Sequence, residues 1–237
     1  MRARCAGEEY VRIVGDTRVR QVFQQVALAL APPRCNVFDF GSGPGLDAAV
    51  YARHGHTVDA YDHEPKQREY FARHCAELIE EGRVSQRGGT YEEFLQSGDT
   101  GWADLITANY APLNVIADLA PLFKRLHRIS RGRAWFLASV LNPLYIPDLR
   151  QRWWWRNLGQ LIRRGESCVD VEGAHVHRRS VARIAEMAAP MFRTVGTLPL
   201  TPRALRHVTS PDAGLAAAKE RRMIFSYFML ILLQRVE

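Results

Sequence analysis

The chain has 237 residues, 47% of them hydrophobic and 24% charged, and carries a net charge of +7 from 32 basic and 25 acidic side chains. That composition suits one globular core with at most a small appendage, and it excludes disordered, fibrous and disulfide-framework classes. Lysine supplies only Lys66, Lys124 and Lys219, so arginine carries the surplus, as a GC-rich genome produces without any ligand selecting for it.

Cys5, Cys35, Cys75 and Cys168 are scattered, with no C-x-x-C pair and no zinc-finger spacing. They read as reduced thiols, which points to a cytoplasmic protein. The opening MRARCAGEEYVRIVGD lacks the apolar stretch of a secretory signal. The most apolar run, Met223 to Leu233, is about half the length that crosses a bilayer and reads as a buried strand.

In chain order, a helical preface from Tyr10 to Leu30 stops at Pro32 and Pro33. Strands are expected at Val37–Phe40, Thr57–Tyr61, Val84–Arg87, Asp104–Ala108 and Ala134–Val140. Helices are expected between them at Leu46–His54, Lys66–Glu81, Tyr91–Gln96 and Val115–Ile129. Alternation of this kind makes crossover units and a mostly parallel sheet covered on both faces. The pattern then breaks at LNPLYIPDLRQRWWWRNLGQLIRRGES, an insertion holding a triple tryptophan. A short strand at Val169–His177, a helix at Ser180–Ala189 and strands at Phe192–Leu198 and Met223–Gln234 complete the expected set.

The first strand runs into Gly41, Ser42, Gly43, Pro44 and Gly45, and the last of these opens a helix. A loop in that place lies at the carboxyl edge of the sheet, where such folds bind ligands. The dinucleotide fingerprint requires a glycine five residues after the first, and Leu46 stands there. Asp39 sits inside the strand two residues before the loop, where its charge opposes a pyrophosphate and favours a ligand carrying an ammonium and a sulfonium. Asp62 closes the second strand, where a carboxylate can accept both hydroxyls of a ribose. Adenosine with positive charge and no phosphate points to S-adenosylmethionine.

The stretches VFDFGSGPG and VDAYDHEP resemble the first two motifs of class I S-adenosylmethionine-dependent methyltransferases of the small-molecule type. The resemblance runs in order from about Tyr10 to Val236, is specific in the first half and loosens after Asn142. It implies a Rossmann-like α/β sandwich of seven strands, the last antiparallel, with a preface over residues 1–34 and a cofactor-binding domain over residues 35–237 interrupted by a lid at about 141–178. It also implies Gly41, Ser42, Gly43 and Gly45 against the methionine portion of the cofactor, Asp39 near its amino group, and Asp62 with His63 at the ribose. Many members place an acid after the third strand against the adenine amine. This chain reads GGTYEEF there, which leaves Thr90 or Tyr91 at the adenine edge, with Glu92 as an alternative. The family places Asn109 beside cofactor and acceptor. Its surroundings, ANYAP, lack the paired prolines and following aromatic of the base-methylating clamp, which argues against nucleic acid as substrate.

His175 and His177 share one face if extended and are candidates for a general base; incidental histidines on a surface strand are the plainer alternative. Tyr10 is a candidate contact to cofactor or acceptor, or packs the preface on the core. Arg18 and Arg20 could grip a carboxylate, or meet solvent. The arginine and tryptophan stretch, residues 150–164, could roof the active site, lie on a membrane surface or stack bases. Successive helical residues point about 100 degrees apart, so the three tryptophans cannot share one face, and the roof is favoured. The expected reaction is methyl transfer to an oxygen or nitrogen of a small metabolite, without a metal. The rival in the same fold is cyclisation or transfer of the cofactor's aminobutyrate arm, releasing methylthioadenosine; a nucleic-acid-binding module is the rival outside it.

Overall fold

The computed structural model describes residues 18–171, 173–201 and 223–237. Cys5, Tyr10 and His207 lie outside the described residues. Helix α1 (Arg18–Leu30) buries Val22, Phe23, Val26, Ala27 and Leu30 along one stripe, and Arg20 lies on that same stripe. Strand β1 (Asn36–Phe40), α2 (Leu46–Arg53), β2 (Thr57–Tyr61), α3 (Pro65–His74), α4 (Ala76–Glu80), β3 (Val84–Arg87), α5 (Tyr91–Gln96), β4 (Ala103–Ala108), α6 (Ala120–Ile129) and β5 (Ser130–Leu141) follow. Beyond them come α7 (Arg152–Arg164), β6 (Glu166–Val171), β7 (Ala174–Arg179), α8 (Val181–Ala188), β8 (Phe192–Pro199) and β9 (Phe228–Arg235).

Seven strands form one sheet in the order β3-β2-β1-β4-β5-β9-β8. Pairings from β3 through β5 are parallel, and β9 runs antiparallel to both β5 and β8. This is the seven-stranded Rossmann-like sheet that the resemblance implies. Alternation along β1 sends Val37 and Asp39 toward α1 and α2, while Phe38 and Phe40 pack with Phe94 of α5 and the buried face of α6. Both faces are therefore covered, as a parallel sheet requires. The strand order reverses between β1 and β4, so their carboxyl ends open the crevice where such sheets take ligands.

Several boundaries differ from the sequence expectations for identifiable reasons. The helix expected over Lys66–Glu81 breaks at Cys75 (φ −103°), whose N–H still bonds to the Phe71 carbonyl. The helix expected from Val115 starts instead at Ala120, with the Asp118 carboxylate accepting from the Ala120 N–H at 3.0 Å. Pro121 explains the delay: in a first turn it lacks no needed hydrogen bond, whereas in the interior it would remove one and clash. The strand expected at Val169–His177 is a hairpin, β6 paired antiparallel to β7, and it stands apart from the main sheet. Its turn uses Gly173 (φ 87°), whose N–H donates to Asp170 Oδ1. No helix among the described residues is long and apolar enough to cross a membrane.

Candidate functional site

The glycine loop is pinned to the end of β2. The Gly41 and Ser42 N–H groups both donate to the Tyr61 carbonyl, at 2.8 and 3.1 Å. The Gly43 N–H donates to Asp62 Oδ2 at 2.8 Å, and the other carboxylate oxygen accepts from the Glu64 N–H at 2.9 Å. Asp62 thus shapes the loop and keeps lone pairs to offer a ligand diol. His63 is exposed, with Nδ1 3.8 Å from that carboxylate.

All three glycines adopt left-handed backbone, with φ of 69°, 54° and 82° at Gly41, Gly43 and Gly45. A Cβ at Gly41 would lie 2.6 Å from Pro112 Cβ, and one at Gly45 would lie 2.7 Å from Cys75 Sγ. A Cβ at Gly43 would meet nothing nearer than Gln67 Oε1, at 3.8 Å. Packing therefore demands two of the glycines, while a Cβ at Gly43 would make only an ordinary contact with Gln67.

Asp39 is buried, and Thr107 donates to its Oδ1 at 2.8 Å. Burial, and then the negative charge of Asp47, push its pKa up to about 7 against the Thr107 hydrogen bond and the nearby Arg20. Four buried polar atoms at this edge, Asp39 Oδ2, Ser42 Oγ, Tyr61 OH and Tyr91 OH, have no protein partner. Unpartnered buried groups are costly unless something else satisfies them. Together with the left-handed glycines and the Asp62 carboxylate, they fit a ligand with hydroxyl, amine and cationic groups.

Thr90 stands at the start of a helix. It caps α5, with its Oγ1 accepting from the Glu93 N–H and its own N–H donating to the Glu93 carboxylate. Tyr91 packs its ring against the core beneath the crevice. Asn109 ends β4 folded inward, donating to Asp47 Oδ2 at 3.0 Å and accepting from Ser139 Oγ at 2.9 Å. Tyr110 and Ala111 follow with φ of 62° and 63°, left-handed backbone at two consecutive residues that are not glycine. Strain of this kind costs about 1–3 kcal/mol per residue and persists where surrounding contacts impose it.

Aromatic rings from three parts of the chain form a wall beside Tyr110. The Tyr110 ring meets Phe228 at 5.4 Å, Phe228 meets Tyr227 at 5.1 Å, and Tyr227 meets Tyr145 at 5.3 Å. Arg178 lies 4.8 Å from the Trp153 ring and 5.5 Å from the Tyr227 ring, and pairs with Asp148. The tryptophans diverge as helical geometry requires. Trp154 is buried and donates to the Pro143 carbonyl, while Trp155 is 59% exposed.

Strand alternation puts the two candidate histidines on the other face of the hairpin from Arg178. His175 is exposed and sits opposite Asp170, 4.0 Å from its carboxylate. His177 sits opposite Cys168, with Nδ1 2.7 Å from Glu166 Oε1, in a polar cleft of about 560 Å³ between α7 and α8. Among the described contacts, neither imidazole shares a partner with the glycine loop, Asp62 or Asn109. What sequence reading missed is Asp47. The one available signal was Arg20 on the apolar stripe of α1, where an arginine needs a buried acid to meet.

A profile for a methyltransferase domain matches residues 13–188. No curated protein sequence matches the chain. Among solved structures, the Burkholderia thailandensis 1,6-didemethyltoxoflavin-N1-methyltransferase, with its substrate and S-adenosylhomocysteine bound, aligns with a TM-score of 0.64 at 14% identity, covering 98% of this chain and 84% of that one. The geranyl diphosphate C-methyltransferase of Streptomyces coelicolor aligns at 0.57 and 21% identity over 92% and 76% of the two chains. An S-adenosylmethionine-dependent methyltransferase of Mesorhizobium loti aligns at 0.58 and 14% identity over 88% and 95%. At such identities the likeness is one of fold, while the profile spans most of the sequence: the chain belongs to the methyltransferase-domain family, within the class I S-adenosylmethionine-dependent enzymes.

Proposed function

We propose that the chain transfers a methyl group from S-adenosylmethionine to an oxygen or nitrogen of a small metabolite. The observation that carries the reading is the charge arrangement around the loop. A carboxyl group stands just behind it at Asp39, with Oδ2 unpartnered by protein, and another across it at Asp62, whose Oδ2 accepts from the Gly43 N–H. Two acids at a glycine loop repel a pyrophosphate and attract a cationic adenosine ligand. The glycine loop would hold the methionine portion, Asp39 and Ser42 would meet its polar end, and Asp62 the ribose diol. When bound, S-adenosylmethionine supplies an electrophilic methyl on a sulfonium.

The chain's own contribution is alignment. A rigid loop and a tethered Asn109–Tyr110 backbone hold the reacting partners in line, and positioning of that kind is worth roughly 7–11 kcal/mol of barrier. Tyr110, Phe228, Tyr227 and Tyr145 form a wall suited to excluding water from an apolar or planar acceptor. Both buried arginines near the wall already have carboxylate partners, Asp47 for Arg20 and Asp148 for Arg178, which favours a neutral acceptor. A base is needed only where the acceptor arrives protonated.

The test is mass-spectrometric product analysis with S-adenosylmethionine, with and without a small-molecule extract. S-adenosylhomocysteine formed only with extract, beside a metabolite heavier by one methyl, supports the reading. Methylthioadenosine formed without extract overturns it in favour of chemistry on the cofactor's own arm.

A further inference from the structure

Asp47, the second residue of α2, is a buried carboxylate with donors from two distant parts of the chain. Its Oδ2 accepts from Arg20 at 2.6 Å and from Asn109 Nδ2 at 3.0 Å, and its Oδ1 accepts from Gln24 at 2.7 Å. Arg20 and Asp47 side chains are 4% and 5% exposed. A buried ion pair is weak support for stability, because apolar residues of similar volume often do as well or better. Its geometry, by contrast, is specific.

The hydrogen bonds continue beyond Asp47. Asn109 Oδ1 accepts from Ser139 Oγ, and the Tyr110 N–H points at both Asn109 Oδ1 (2.9 Å) and Ser139 Oγ (2.7 Å). Tyr110 and Ala111 then carry the left-handed backbone that no glycine relieves. A second path closes the ring, since the Arg20 guanidinium lies 4.5 Å over the Tyr110 ring.

We propose that Asp47 is a positioning residue: by holding Arg20 and Gln24 of α1 and the Asn109 amide at once, it makes the seating of α1 a condition for the strained Asn109–Ala111 backbone that borders the cofactor crevice. Cofactor affinity then depends on a carboxylate lying behind the glycine loop. The inference builds on the S-adenosylmethionine reading but concerns a coupling that a glycine loop alone does not provide.

Asp47→Asn leaves Arg20 without its counter-charge and risks unfolding. The decisive variant is therefore Arg20→Met combined with Asp47→Leu, which leaves no buried charge unpaired. The expected result is a cooperatively folded variant melting a few degrees below wild type, because Asn109 Nδ2 and Gln24 Nε2 lose their acceptor, with S-adenosylhomocysteine bound at least about tenfold more weakly by calorimetry, the loss typical of a charged hydrogen bond. Amide exchange at Tyr110 and Ala111 in the ligand-free protein is expected to quicken by about the same factor. A stable double variant with affinity within about twofold of wild type and unchanged exchange overturns the proposal. If wild type itself binds no S-adenosylhomocysteine, the cofactor reading fails, and exchange alone decides the coupling: protection kept in the double variant refutes it, protection lost supports it.

Discussion

Replacing Gly43 and Gly45 separately by alanine distinguishes a glycine required by the ligand from one required by the core. Both residues are left-handed, at φ 54° and 82°, which costs an alanine about 1–2 kcal/mol. At Gly45 the added methyl would also lie 2.7 Å from Cys75 Sγ and 2.8 Å from Phe71 Cδ2. Those side chains are 1% and 0% exposed and cannot swing aside, so overpacking adds about 1–3 kcal/mol. Gly45→Ala therefore costs about 2–5 kcal/mol, while Gly43→Ala costs only the backbone term. For a chain of this size each kcal/mol lowers the melting temperature by about 2–4 °C. Thermal unfolding should show Gly43→Ala melting a few degrees low and Gly45→Ala lower still. Calorimetry should show the reverse emphasis, with Gly43→Ala binding S-adenosylhomocysteine at least about tenfold more weakly, because on the proposed function the Gly43 backbone approaches the methionine portion of the cofactor closely. Equal loss of stability in the two variants, or wild-type affinity in Gly43→Ala, would refute the division of roles between the two glycines.

Asp39 titrates near pH 7 when folded, against about 3.9 in an unfolded chain. Between those values the folded form holds a proton that the unfolded form has lost, so wild-type stability falls as pH rises through the window and levels off above it. Asp39→Asn should accordingly stabilise the ligand-free protein at pH 8, by at most roughly 4 kcal/mol, and leave it unchanged at pH 4, as read by urea unfolding. Asp99 behaves oppositely: although burial raises its pKa, the Trp102 indole and Arg87 and Arg125 together hold it well below the carboxylate range. Its contribution is present above pH 4 and is lost in strong acid, and Asp99→Asn should cost about 1–3 kcal/mol at pH 7 by leaving buried Arg125 without a counter-charge. Trp154→Ala should cost about 3–5 kcal/mol and Trp155→Ala almost nothing, because the first indole is buried and the second exposed. His175→Gln and His177→Gln should leave S-adenosylhomocysteine affinity within about twofold in calorimetry, as both face away from Arg178 and the aromatic wall.

Much of the sheet was legible because its signals are local. The strands Thr57–Tyr61 and Val84–Arg87 fall where short apolar runs place them, and the G-x-G-x-G spacing announces a ligand loop rather than a packing turn. The hairpin at residues 166–179 was not read, because a polar strand paired only to its neighbour shows neither clean alternation nor an apolar run. At Thr90 the string TYEE carries a second signal, a capping box, which the structure realises between Thr90 and Glu93. The Arg20–Asp47 pair spans 27 positions and exists only because α1 packs beside α2. An arginine on an apolar stripe signals that a buried acid must meet it, but which acid depends on tertiary arrangement.

Calorimetric titration of the purified protein with S-adenosylhomocysteine and with NAD distinguishes a loop that holds an adenosine sulfonium from one that holds a pyrophosphate cofactor. Saturable binding of S-adenosylhomocysteine, weakened in Asp62→Ala, with none for NAD, is the predicted outcome. Binding of NAD, or no binding of S-adenosylhomocysteine, would contradict it.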